Sequence, residues 1–138
     1  MIKNFFEKII QTKNNDVKVI AEMSGNHQGT YEGANKFVKQ AIKMGADAIK
    51  FQVYRADTIT LNSNKKDFLV RSEGIWGKFK TLHDLYDEAH TPWKWISKLA
   101  SSLNAKKFPW FASPFDISSV DFLEKLNCQA YKIASPEI

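Results

Sequence analysis

A single cysteine, Cys128, occurs among 138 residues, so no internal disulfide can form and nothing ties the chain to an oxidising compartment. No uninterrupted run of about 18 apolar residues occurs, which removes a membrane-spanning helix. The opening MIKNFFEKIIQTKNN interrupts its apolar residues with charge and lacks the hydrophobic stretch ending in small residues that a secretory leader needs. A cytoplasmic protein without a membrane partner is the expectation. Also missing are the phosphate-cradling GxxxxGKS or GxxxxGKT, the GxGxxG turn and HExxH, so nucleotide hydrolysis, dinucleotide binding and zincin-type proteolysis receive no support. The 20 Lys and Arg outnumber the 15 Asp and Glu, but the surplus is scattered among interleaved acids, not gathered into one basic segment. That pattern is a solvated surface and does not point to nucleic acid.

What is present is 43% apolar residues in recurring blocks, enough for one core at a length where a domain buries roughly two thirds of its surface. Residues 1–16 read as an amino-terminal extension. Val17–Met23 is β-rich and ends in the polar turn Ser24–Gly29. Ala34, Phe37, Val38, Ala41 and Ile42 then recur at helical spacing up to Gly45. Ala46–Val53 predicts a second strand, with Lys50 and Gln52 in period two on one face. From Tyr54 to His90 the pattern loosens into an excursion of the kind that carries function or covers a site, with a short helix through Leu82, Leu85, Tyr86 and Ala89.

Thr91 reads as a helix cap with Pro92 in the first turn, and Ile96, Leu99, Ala100 and Leu103 continue the buried stripe. Trp110–Ala112 is the third strand, Asp116 caps a helix through Val120, Leu123 and Leu126, and Ala130–Ala134 is a fourth strand. Strands alternating with helices predict parallel β/α architecture with right-handed crossovers. A closed barrel needs eight such units and about 250 residues. Residues 17–138 therefore read as the amino-terminal half of a TIM (β/α)8 barrel.

In such folds chemistry collects at the carboxyl ends of strands. Here those ends carry Glu22, Asn26 and His27, then Lys50 and Gln52, then Ser113 and Asp116, and finally Lys132, Ser135 and Glu137. Two strand-end lysines with nearby serines suit a phosphate or carboxylate on a small molecule. The alternative is purely structural: Lys50 neutralised by Glu22, or Lys132 by Glu137. His27 can equally belong to a turn, while His83 and His90 lack metal-ligand spacing. The four tryptophans read mainly as packing, with Trp76 the one that can meet a ligand. Cys128 has no CxxC partner and no adjacent base.

The stretches IAEMSGNHQGTYEGA, GADAIKFQVYRADTITL, LYDEAHTPWKW and SPFDISSVDFLEKLNCQAYKIASPEI resemble the sialic acid synthase family. Met23–His27, together with Tyr54 and Ala56-Asp57-Thr58, is most similar to its pseudaminic acid branch, while Gln28 and Val53 depart from residues frequent there. The resemblance implies condensation of phosphoenolpyruvate with a 2,4-diacetamido-2,4,6-trideoxy hexose, releasing phosphate. N-acetylneuraminate or legionaminate synthesis is the neighbouring alternative, and a non-catalytic anion-binding or assembly module is the alternative outside enzymes. It also implies that Lys50, Gln52, Ser113, Lys132 and Ser135 hold phosphoenolpyruvate and that Glu22 acts at the reacting carbons. Asn26, His27, Tyr54, Asp116 and Glu137 would then lie on the sugar side. A divalent metal, Mn2+ or Mg2+, would be held by histidines outside residues 1–138. The intact enzyme would be a homodimer with a second half-barrel and an antifreeze-like domain absent here, leaving the 138 residues alone with little turnover.

Overall fold

The computed structural model describes residues 5–7, 17–71, 73 and 76–135. Three parallel strands lie in the order β1 (Ile20–Glu22), β2 (Ala48–Val53) and β3 (Trp110–Pro114). Ile20 pairs with Ala48, Glu22 with Lys50, Ile49 with Trp110 and Gln52 with Ser113. Helix α1 (Tyr31–Lys43) links the first two strands; α2 (Ala56–Ile59), α3 (Leu82–Ala89) and α4 (Trp93–Ala105) lie between the second and third, and α5 (Ile117–Lys125) follows β3. This is the alternation of parallel strands and crossover helices of an incomplete β/α barrel, its amino-terminal portion. No helix among the described residues is long and apolar enough to cross a membrane.

Local chemistry sets the helix ends. The Thr30 side chain accepts the Gly33 N–H, capping α1, whose apolar stripe buries Ala34 and Val38. At Gly33 a Cβ would stand 2.2 Å from the His27 carbonyl oxygen, so only glycine lets the first turn pass beneath the β1 exit loop. Gly45, at φ +89°, ends the helix in the left-handed region. Asp116 caps α5 by accepting the Ser119 N–H at 2.8 Å. Thr91 does not cap α4. Pro92 occupies that position with no side-chain bond, because the Thr91 hydroxyl instead donates to the Ser24 carbonyl at 3.1 Å.

The core lies between the sheet and its helices. Ile49, Phe51 and Trp110 from the strands meet Val38 of α1, Ile96, Leu99 and Leu103 of α4, and Leu123 of α5. The one polar group on Trp110 is satisfied: its indole N–H donates to Asn104 Oδ1 at 2.7 Å, and the Asn104 amide donates to the Leu126 carbonyl.

The fourth strand differs from the sequence expectation. Residues 130–134 make a single parallel bridge, Tyr131 to Ala112, with the Lys132 N–H donating to the Ala112 carbonyl at 3.0 Å. Tyr131, Lys132 and Ile133 are exposed, so no packed layer holds them in a longer ladder.

Candidate active site

Register decides which side chains share a face of the sheet. Residues paired across parallel strands point the same way, and alternate residues along a strand return to that side. Glu22, Lys50 and Phe111 therefore form one row, and Gln52 and Ser113 form the next, nearer the strand ends. The Tyr131–Ala112 bridge extends this pattern and sets Lys132 opposite Ser113, in the row of Gln52. Consistently, Tyr131 leaves on the opposite side, where its hydroxyl donates to Glu124 of α5. Four of the five residues the sequence assigns to anion binding thus share one face.

Lys50 is not free on that face. Its ammonium donates to Glu22 Oε1 at 2.5 Å, with the lysine side chain only 14% exposed and the glutamate 38%. A largely buried ammonium is costly without a counter-charge, so Glu22 supplies that charge and fixes the direction of the Lys50 side chain. Ser113 is buried at the end of that face. Phe6, in the helical turn at 5–7, meets Phe111 edge-on at 5.3 Å, so part of the amino-terminal segment packs against the same face.

The β1 exit loop is pinned from below. His27 is 3% exposed; its Nδ1 accepts the Gly29 N–H at 3.1 Å, which leaves Nε2 to donate to the Ala89 carbonyl at 3.3 Å. With both nitrogens bound to backbone and its ring edge-on to Trp95 at 5.4 Å, His27 anchors the loop to the end of α3. Asn26, one residue earlier, is exposed.

Tyr54 and Asp116 organise the exits of β2 and β3. The buried Tyr54 ring meets Tyr86 and Phe115 edge-on at 5.9 and 5.6 Å. Burial, followed by the neighbouring Tyr86, pushes its hydroxyl up to about 12. Asp116 accepts from the hydroxyls of Thr58, Ser118 and Ser119 at 2.7, 2.5 and 2.6 Å and from the Ser119 N–H. Burial opposes its charge, yet these donors prevail and hold the carboxyl down at about 2. This carboxylate ties the short helix α2 to the start of α5, and a sugar hydroxyl would have to compete with four internal donors.

A sequence model of the NeuB family matches residues 37–138. The chain belongs to the NeuB family. It is 47% identical to a pseudaminic acid synthase of Campylobacter jejuni over 126 residues, covering 90% of this chain and 36% of that protein. To a pseudaminic acid synthase of Helicobacter pylori it is 36% identical, covering 88% of this chain and 35% of that one. The crystal structure of an N-acetylneuraminic acid synthetase from Leptospira borgpetersenii, in complex with citrate, superposes with a TM-score of 0.67 at 28% identity, covering 89% of this chain and 38% of the other. This NeuB-family chain spans about a third of the length of the curated relatives it matches.

The remaining assignments in this NeuB-family chain divide simply. Ser135 is exposed at the last described position, and Glu137 lies outside the described residues. The Cys128 thiol donates to the Ala130 carbonyl, and burial pushes it up to about 11, so it is an inert packing group. Among the described residues no group of three His, Cys, Asp or Glu side chains comes together to hold a metal ion. His83 binds Asp57 at 2.9 Å and His90 bonds the Asp87 carbonyl, each within the excursion. Sequence reasoning passed over Lys78, Phe79 and Glu88, which join Trp76 and the loop Ser24–Gly29 around a cleft of about 430 Å³. The available signal was the length of the excursion, which said that something was covered without saying by which residues.

Proposed function

We propose that this chain contributes the phosphoenolpyruvate-binding part of a nonulosonate synthase of the pseudaminic acid type. The observation that carries the reading is the shared face: Lys50, Gln52 and Ser113 lie in adjacent rows of one sheet surface, with Lys132 in register beside Ser113. Two ammoniums and a buried serine hydroxyl match a small molecule bearing a phosphate and a carboxylate. The identity to pseudaminic acid synthases supports a 2,4-diacetamido-2,4,6-trideoxy hexose as the second substrate.

In the proposed reaction C3 of phosphoenolpyruvate attacks the aldehyde carbon of the open-chain sugar, forming the new carbon–carbon bond while the aldehyde oxygen takes up a proton. Water adds at C2, losing a proton, and the C2–O bond to phosphate breaks to leave the keto acid and inorganic phosphate. Lys50 and Lys132 hold the anionic ends, with Ser113 and Ser135 as hydrogen-bond donors and Gln52 fixing orientation. In this reading Glu22, bonded to Lys50, exchanges a proton with the sugar oxygen as the lysine turns to phosphoenolpyruvate. His27 and Asp116 act on the sugar side by positioning Asn26 and the Tyr54 loop. Family resemblance implies a divalent metal and a homodimer.

Calorimetric titration of the chain with phosphoenolpyruvate tests the reading. Lys50→Ala and Lys132→Ala should each weaken binding by about 10-fold or more, the range for losing a charge-assisted contact. Affinity unchanged in both variants would refute it.

A further inference from the structure

We propose that the amino-terminal turn carrying Phe6 is a removable cover over the lysine-bearing sheet face, and that it competes with an anionic ligand for Lys50. This rests on the reading of that face as the phosphoenolpyruvate side and adds to it a regulatory contact from outside the strands.

The sheet alone does not account for what is buried. Phe111 lies on the polar face, paired with Lys50 in the register, yet it is only 8% exposed. Phe6 meets it edge-on at 5.3 Å with the ring planes 73° apart, and Phe5 in turn meets Phe6 at 5.2 Å. Both rings of the turn are half-buried, while Glu7 is exposed. A helical turn of three residues has no stability of its own, so its contact with the sheet is what holds it.

Position gives the contact its consequence. Neighbouring strands are about 4.8 Å apart, so a ring packed on Phe111 stands beside the Lys50 side chain in the same row. Lys50 is bonded there to Glu22. A cover that keeps water from this row strengthens the attraction between ammonium and carboxylate, because the local dielectric falls. The cover therefore holds the lysine to its glutamate. When the turn lifts, water enters, the pair weakens, and the ammonium becomes available to a phosphate or carboxylate. Ligand and ring cannot share the row, since a dianion against a phenyl ring loses hydration without gaining a donor. Glu7, next to Phe6 in sequence, adds a negative charge to the turn and disfavours an anion further while the cover is closed.

The hold also has the strength that a switch needs. An edge-on pair at a half-buried site is a small contact compared with the core, where Phe51 and Trp110 are fully buried. The turn is joined covalently to β1, two strands away from the β3 position on which Phe6 rests. That tether gives the ring a high local concentration at the face, so it closes readily, and a weak contact lets a ligand displace it. Apparent affinity for an anion is lowered in proportion to the fraction of molecules that are closed.

Limited acetylation of lysines with trace acetic anhydride, mapped by peptide mass spectrometry, reads the cover with no ligand present. Phe6→Ala should speed the reaction at Lys50 by about 3- to 10-fold relative to Lys78, which is also paired with a carboxylate but lies outside the sheet, while Phe6→Leu stays near wild type. Calorimetric titration should show phosphoenolpyruvate bound about 3- to 10-fold more tightly by Phe6→Ala than by wild type. Lys50 reacting no faster than in wild type, or rising only in step with Lys78 as it would in a loosened fold, overturns the cover. So does phosphoenolpyruvate affinity that is unchanged or weaker in Phe6→Ala while Lys50→Ala abolishes it, and that outcome leaves the proposed function standing. Faster acetylation of Lys50 with no phosphoenolpyruvate binding in any variant keeps the cover and removes the anion reading.

Discussion

On one face of the sheet Ile49, Phe51, Val53, Trp110 and Ala112 are closed off beneath helices; on the other, Glu22, Lys50, Gln52 and Ser113 stand in register beside Phe111, against which Phe6 packs. The strands are the same, and alternation alone separates the two chemistries. The apolar face supplies the burial that offsets chain entropy. The polar face holds a lysine that would lower stability if its glutamate were absent. Stability and chemistry are thus assigned to opposite sides of single strands, one residue apart.

The largest test of that division is Phe51→Ala. Phe51 is fully buried and packs against Trp110 at 6.0 Å, so its loss should cost about 3–5 kcal/mol. Urea denaturation measures the drop, and phosphoenolpyruvate affinity of the molecules that remain folded should not move. A comparable loss of affinity in those molecules would mean the two faces are not independent.

The polar face should give the reverse signature. Glu22→Gln removes the counter-charge of a side chain only 14% exposed and should lower stability by about 1–3 kcal/mol. Phosphoenolpyruvate then meets a lysine with no internal competitor, and its binding should tighten a few-fold. Weaker binding in this variant would show that Glu22 contacts the ligand or orients Lys50 in a way charge alone does not capture.

How far the sequence reaches follows the same division. Strands β1 to β3 and helices α1, α4 and α5 were readable because burial imposes a period: Ala34 and Val38, or Leu99 and Leu103, have no other reason to be apolar at those intervals. The pair of Lys50 with Glu22 was also foreseeable, since a lysine inside a strand needs a partner. The segment 130–134 looks like a strand by composition, yet its pairing depends on neighbours that local pattern does not encode, and one bridge is what forms. His27 and Thr91 escaped for a similar reason. Their partners, the carbonyls of Ala89 and Ser24, are 62 and 67 residues away, and backbone acceptors leave no mark in a sequence. The excursion signalled a covered site by its length alone, so Trp76 was visible as a candidate and Lys78 and Glu88 were not.

The smallest effect is expected where both faces are left alone and only their connection is cut. Asp116 joins Thr58 of the short helix α2 to the first turn of α5, and Asp116→Ala should cost about 1–2 kcal/mol, the range for losing a helix cap. Its carboxyl is held at about 2 against an ordinary 3.8, so the stabilisation it gives is complete above pH 3.8 and disappears as pH falls through 2. The difference in stability between wild type and Asp116→Ala should therefore be constant at neutral pH and narrow in that acid window. A difference that persists unchanged below pH 2 would mean that the cap acts through packing and not through charge. The same variant separates loop positioning from ligand contact. If Asp116 only orients the Tyr54 loop, phosphoenolpyruvate affinity stays as it was and sugar affinity falls modestly, with Asp116→Asn, which keeps acceptor capacity, restoring most of it.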